Sequence, residues 1–186
     1  MVSAQAEYKV LLLGVEQAGK TTLLERICNV FAGSDMAFSS HVLPTVGLNL
    51  QRVSALGVNL VFWDLGGKAG LRAIWEKYYR EAHAVIFVLD SADQERFGDV
   101  ADTLRRALQH RELDGAPILI AANKQDSTTA SSQADISRML GLDKLERPDR
   151  AFRVLETSGS RGDGIREAVA WVVESIRRSP RAKALR

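Results

Sequence analysis

The sequence predicts an α/β domain: a mostly parallel six-stranded sheet with one antiparallel edge strand and helices on both faces. Three observations support this. Short, apolar, branched runs recur along the chain, segments with helical spacing alternate with them, and one pair of alternating runs is split by a tight turn. At 186 residues the chain fits one domain whose core needs no disulfide.

Taken in order, "YKVLLLG" from Tyr8 reads as the first strand and "KTTLLERICNVF" as the helix after it. A long loop then leads to "LNLQRVSALGVNLVFWD", two alternating runs with a turn around Ala55, Leu56 and Gly57, hence an antiparallel hairpin. "AVIFVLD" from Ala84, "APILIAANK" from Ala116 and "FRVLET" from Phe152 supply the remaining strands. Between and after them "ERFGDVADTLRRALQH", "DISRML" and "GIREAVAWVVESIRR" have helical spacing, and such alternation argues for right-handed βαβ units. The polar run Ser127 to Gln133 reads as a loop, and "RRSPRAKALR" as a frayed basic tail. The expected organisation is therefore a short N-terminal tail over 1–7, the domain over 8–178 and a basic tail over 179–186.

A formal net charge of +2 gives no electrostatic case for a nucleic-acid partner. The single cysteine, Cys28, cannot form an internal bridge and is expected to pack as a small core residue in a reducing compartment. No run reaches the ~20 apolar residues of a membrane-spanning helix, and the N-terminus has no signal-peptide pattern. A soluble, cytoplasmic protein is expected.

"GVEQAGKT", Gly14 to Thr21, matches G-x-x-x-x-G-K-[ST] between a strand and a helix. Such a loop, through Gly14, Glu16, Gln17, Ala18 and Gly19, offers successive main-chain N–H donors to phosphates. The helix opening at Lys20, Thr21 and Thr22 adds its positive dipole end. Lys20 would bridge the β and γ phosphates, and Thr21 would offer its hydroxyl to Mg²⁺. "NKQD" follows a strand, where ligands of open α/β sheets bind. A carboxylate at Asp126 can accept from both donors of guanine, a pair adenine lacks; Asn123 can tie this loop to the phosphate loop, and the stem of Lys124 can cover the base. In "ETSGS", Ser158 would order the loop and the Gly159 N–H would face the guanine carbonyl, although a plain turn into the last helix explains the same residues. In "LPTVG", Thr45 could complete the Mg²⁺ shell only while a γ-phosphate is present. In "WDLGG", Asp64 would hold Mg²⁺ through water and the Gly67 N–H could reach the γ-phosphate.

With these five segments in order, the chain resembles the Arf and Arf-like group of small GTPases over about residues 8 to 178, through "PTVGLNL", "FWDLGG", "LRAIWEKYY", "VIFVLDSAD" and "NKQD". The "GLNL" and "FWDLGGKAGLRAIWEKYY" wording is similar to the Arf-related branch, which works at the trans-Golgi. The resemblance implies a P-loop fold and a GTP- or GDP-binding, Mg²⁺-dependent switch in vesicle traffic. Thr45 would lie in switch I and Asp64 to Glu76 in switch II, with the hairpin between them sliding on GTP binding. Leu48, Trp63 and Tyr78 fall where the group carries an apolar trio that docks effectors. Exchange factor, activating protein and effectors are the implied partners, and the chain is expected to be a monomer, peripheral at Golgi membranes.

Two departures stand out. Only "MVSAQAE" precedes Tyr8, too short and polar for the group's membrane helix, so either the N-terminus is truncated or membrane contact works differently. Arg177, Arg178, Arg181, Lys183 and Arg186 could touch anionic lipid or remain solvated. The second departure is Lys68, where the group carries a glutamine that orients the attacking water. A lysine cannot accept a hydrogen bond from that water; it could pair with the γ-phosphate or point to solvent. The catalytic set is thus Lys20, Thr45 and Lys68, with hydrolysis expected to be slow. A docking module impaired in hydrolysis is the alternative, and a P-loop kinase is disfavoured because it leaves "NKQD" unexplained.

Overall fold

A computed structural model describes residues 5–32 and 47–185. The apolar runs form strands without strict alternation because helices cover both faces of the sheet. These are β1 (Glu7–Leu13), β2 (Leu48–Ala55), β3 (Val58–Leu65), β4 (Ala84–Asp90), β5 (Ile118–Asn123) and β6 (Phe152–Glu156). Their order is β2-β3-β1-β4-β5-β6, parallel throughout except where β2 pairs antiparallel with β3. β2 is therefore the expected antiparallel edge. Its connection to β3 is the two-residue turn Leu56–Gly57, with φ of 53° and 78°, the double positive-φ geometry that suits a hairpin's twist.

The major helices are α1 (Lys20–Ala32), α3 (Phe97–Leu108), α4 (Gln133–Leu140) and α5 (Ile165–Arg178), with a single-turn α2 (Glu76–Tyr79) before β4. α3 buries Phe97, Val100, Leu104, Ala107 and Leu108, and α5 buries Ile165, Val169, Val172 and Ile176, the stripes that helical spacing dictates. Ser132 caps α4 by accepting from the Asp135 N–H, and Gly141 ends it in a left-handed conformation. The loops after β1, β3, β4, β5 and β6 all leave the carboxyl edge of the sheet, where the candidate site lies.

Two expectations need correction. The basic tail is not frayed: residues Pro180–Ala184 form a further helix, α6, with Ser179 as its cap and Ala182 buried. Arg181 donates to the carbonyls of Ala82 (2.7 Å), Tyr79 (2.7 Å) and Asp114 (3.0 Å), and Arg177 donates to that of Leu56 (2.7 Å). A serine followed by proline is a helix-start signal, and carbonyls at and just after the end of α2, together with that of Asp114, supply the arginine's partners. Helical structure therefore continues past residue 178. Cys28 is half-buried against the core rather than within it. The segment after "DLGG" contains a six-residue 3₁₀ stretch, Ala69–Ile74, fastened by buried Trp75, whose Nε1–H donates to Gly66 O at 3.0 Å. Among the described residues no helix is long and apolar enough to cross a membrane.

Beneath the sheet's amino edge, His83 is buried and accepts the Lys9 N–H through Nδ1 at 3.0 Å, while its ring meets Tyr8 edge-on. Burial, then the charges of Lys9 and Arg181, pull its pKa from 6.5 down to about 4. Between those two values the unfolded chain binds a proton that the folded chain refuses, so stability falls as pH drops from 6.5 toward 4. The loss approaches about 3 kcal/mol once the folded pKa is reached. Urea titrations from pH 7 to 4.5 should give a falling midpoint for the parent and a flatter profile for His83→Gln.

Candidate functional site

The phosphate-type loop begins where β1 ends. Gly14 has φ of 143°, and a Cβ there would lie 2.1 Å from Val88 O on β4, so only glycine lets the loop turn this close to the sheet. At the helix start Lys20 is buried, and its Nζ donates to Gly14 O and Val15 O, both at 3.0 Å. Burial pulls its pKa down to about 8, with Asp64 the first opposing influence. Two neutral carbonyls are poor compensation for a buried cation, so an anion placed here would be strongly favoured.

Thr21 Oγ1 donates to Asp64 Oδ2 at 2.6 Å, joining the α1 start to the end of β3. A hydroxyl and a carboxylate are hard oxygen donors that suit Mg²⁺. Among the described residues no group of three or more His, Cys, Asp or Glu could hold a metal by itself. Gly67 closes over this end: its carbonyl accepts the Glu16 N–H at 3.1 Å. A Cβ on it would meet Gly14 O, Glu16 N and Lys20 Nζ at 2.5–2.6 Å. The next residue, Lys68, is exposed in extended backbone at the head of the 3₁₀ stretch.

At the opposite end Asn123, buried at the end of β5, joins three segments. Its Nδ2 donates to Ala18 O at 3.0 Å, while its Oδ1 accepts the Gly159 N–H at 3.0 Å and the Thr157 hydroxyl at 3.3 Å. Lys124, at φ 65°, pairs with Asp90 at 2.6 Å. Ser158 Oγ donates to Asp126 Oδ1 at 2.6 Å and accepts the Arg161 N–H, and its bond holds the Asp126 carboxyl below the usual range. An ionised acceptor thus faces a loop ordered by a neighbouring hydroxyl, able to take two adjacent donors from a planar ring.

The structure brings Gly14, Glu16, Gln17, Ala18, Gly19, Lys20, Thr21, Thr22, Asp64, Gly67, Asn123, Lys124, Asp126, Ser158 and Gly159 to one edge. Thr45 lies outside the described residues. On β3, Trp63 meets Tyr78 edge-to-face at 5.0 Å, with Lys9 Nζ 5.1 Å from the indole centroid. Leu48 is exposed on the same face, and so is Leu50, directly opposite Trp63, which sequence reasoning passed over. It also missed Thr157, Asp90 and Arg26, which donates to Gly159 O at 3.0 Å. Thr157 lies within "ETSGS" and Asp90 within "VIFVLDSAD", which was the available signal for both, whereas Arg26 carries none.

The sequence profile of the ADP-ribosylation factor (Arf) family matches residues 1–176. ADP-ribosylation factor-related protein 1 of Rattus norvegicus is 38% identical over 182 residues, covering 95% of this chain and 90% of the relative. ADP-ribosylation factor-like protein 3 of Caenorhabditis elegans is 38% identical over 172 residues, covering 92% and 89%. Among solved structures, the Arl6 BBS3 small GTPase from Trypanosoma brucei, with bound nucleotide analogue GppNp, superposes with a TM-score of 0.80. It is 30% identical and covers 93% of this chain and 99% of its own.

Replacing Asn123→Ala would leave Ala18 O and the Gly159 N–H unmatched in buried surroundings, and should cost about 2 kcal/mol of unfolding free energy. Urea denaturation measures this; a loss below about 0.5 kcal/mol would mean that the three segments hold together without it.

Proposed function

The chain belongs to the ADP-ribosylation factor family of GTP-hydrolysing switches, which bind GTP or GDP with Mg²⁺, and from that premise we propose a slowly hydrolysing switch in vesicle traffic at Golgi membranes. The observation behind slow hydrolysis is Lys68, which follows the Gly67 closure but offers no acceptor to orient water. The loop from Gly14 to Gly19 and the start of α1 at Lys20, Thr21 and Thr22 would bind the phosphates, Thr21 and Asp64 the Mg²⁺, and Asp126 the base. Asn123, Lys124, Ser158 and Gly159 would frame the base pocket. When bound, Mg²⁺ would neutralise charge that develops on the phosphates. Thr45 would join it in the GTP state.

The Golgi assignment rests on the likeness to the Arf-related branch, supported by 38–40% identity to ADP-ribosylation factor-related protein 1 of rat and of Bos taurus. Leu48, Trp63 and Tyr78, with Leu50 beside them, would dock effectors on the β2–β3 face of a monomer that contacts membrane peripherally. Lys68 equally favours a second reading, a docking module in which hydrolysis is impaired and effector recruitment is the whole output.

Asp126 should give guanine nucleotides at least ~10³-fold preference over adenine nucleotides, because a mismatched base leaves buried polar groups unpaired. Asp126→Asn should move that preference toward xanthine nucleotides in a competition titration. Equal binding of GTP and ATP by the parent would end this assignment.

Losing one positioned polar group at a charge-developing centre costs about 10² to 10³ in rate. Lys68→Gln should therefore raise GTP hydrolysis, and far more with an activating protein than without, in single-turnover γ-phosphate release. If the parent matches Lys68→Gln under both conditions, residue 68 does not set the rate; if it hydrolyses nothing even with activator, the docking-module reading holds.

A further inference from the structure

Three charged residues outside the nucleotide set meet at the phosphate end. Asp99 on α3 receives both arms of the Arg72 guanidinium, at 2.7 and 2.8 Å, and lies 3.8 Å from Arg96. Each arginine also grips one main-chain carbonyl: Arg72 Nε donates to Gly67 O at 2.9 Å, and Arg96 Nη1 donates to Glu16 O at 3.0 Å. Those two residues are themselves joined, since the Glu16 N–H donates to Gly67 O. Thr103 completes the cluster, accepting from Arg72 Nη1 at 2.7 Å and donating to Asp99 Oδ1 at 3.2 Å. The fork is planar and doubly bonded, and the Arg72 side chain is only 17% exposed, unlike the loose surface pairs that contribute little. Its hydrogen bond is the first cause holding the Asp99 carboxyl below the usual range.

Held this way, the Gly67 loop sits tight over Lys20, so close that a Cβ on Gly67 would lie 2.6 Å from Lys20 Nζ. On the reading that this site takes both GTP and GDP, the two ligands differ only in the terminal phosphate, the group Lys20 would attract. GDP can leave the closed loop where it is; GTP requires it to yield. On the outer flank, a cleft of about 470 Å³ lined by Ala69, Ala73, Trp75, Asp99 and Arg106 gives Arg72 room to swing.

We propose that Asp99 is a positioning residue which, through Arg72 and Arg96, latches the Gly67 loop onto the phosphate loop and biases the site toward GDP. Because a ligand shifts such an equilibrium only by its differential affinity for the two loop positions, the latch strength is read in the GTP-to-GDP affinity ratio.

The test is equilibrium competition between GDP and a non-hydrolysable GTP analogue on the full chain with Mg²⁺, together with hydrogen exchange of the Glu16 amide in the GDP complex. Asp99→Asn should raise the ratio toward GTP by about three- to tenfold, the scale of one partly buried charged pair, and speed the amide's exchange. Arg72→Gln should do the same although it removes a positive charge, whereas charge alone would move the ratio toward GDP. Asp99→Glu, which keeps the carboxylate, should recover most of the parental ratio. GDP affinity within about twofold of the parent marks a variant as folded; Arg72→Lys, which keeps the charge without the fork, replaces any variant that fails this and should shift toward GTP. If the parent binds both nucleotides but the ratios stay within twofold, or Arg72→Gln shifts toward GDP, the latch is wrong and the switch assignment stands. If the parent binds neither nucleotide, the switch assignment falls and takes the latch with it.

Discussion

The buried ammonium of Lys20 sets the terms for everything around it. A lysine kept from water beside carbonyl oxygens is tolerable only where the backbone supplies close, oriented dipoles and leaves space for an anion. The sharp turn at Gly14, the close approach of Gly67 and the carboxylate of Asp64 at the end of β3 all meet that requirement. Each also fixes a neighbouring element: Gly14 is pressed onto Val88 of β4, and Asp64 receives the Thr21 hydroxyl from α1. The parallel sheet brings these loops to one edge, so the electrostatics of one side chain and the order of the central strands form a single constraint.

Distance along the chain explains what the sequence disclosed. The phosphate loop, the hairpin and the amphipathic helices are local, and their letters carry their own mechanism, from Gly14 through Thr21 and in the stripe of α5. "NKQD" was legible for the same reason, even though Asn123 acts on Ala18, which lies 105 positions away. By contrast, Arg72 lies in the segment the resemblance assigns to switch II and Asp99 on a helix read only by its spacing, and no local signal pairs them; only the tertiary fold places them 2.7 Å apart. Arg181 misled in the same way, because a basic residue near a terminus looks solvated until the carbonyls at the end of α2 are seen beside it. The trio Leu48, Trp63 and Tyr78 came from family likeness, and Leu50 was overlooked because alternation alone cannot say which face of an edge strand stays uncovered.

These two levels bear on Lys68 in different ways. The position of its loop is set by neighbours: the Gly67 carbonyl is held by Glu16 and Arg72, and the Gly66 carbonyl by Trp75. Lys68, exposed and in extended backbone, contributes no side chain to these bonds. A change from glutamine to lysine there can therefore alter the chemistry offered to a reacting phosphate while leaving the loop's architecture intact. Such separability is expected where function sits on a loop held by a rigid scaffold. On the reading proposed above, closure of the Gly67 loop, which would rest on Asp99 and its two arginines, and positioning of water, which would rest on residue 68, are separable. A family member could in this way retain nucleotide discrimination while giving up turnover, and would then depend on exchange and release rather than hydrolysis to end its signal.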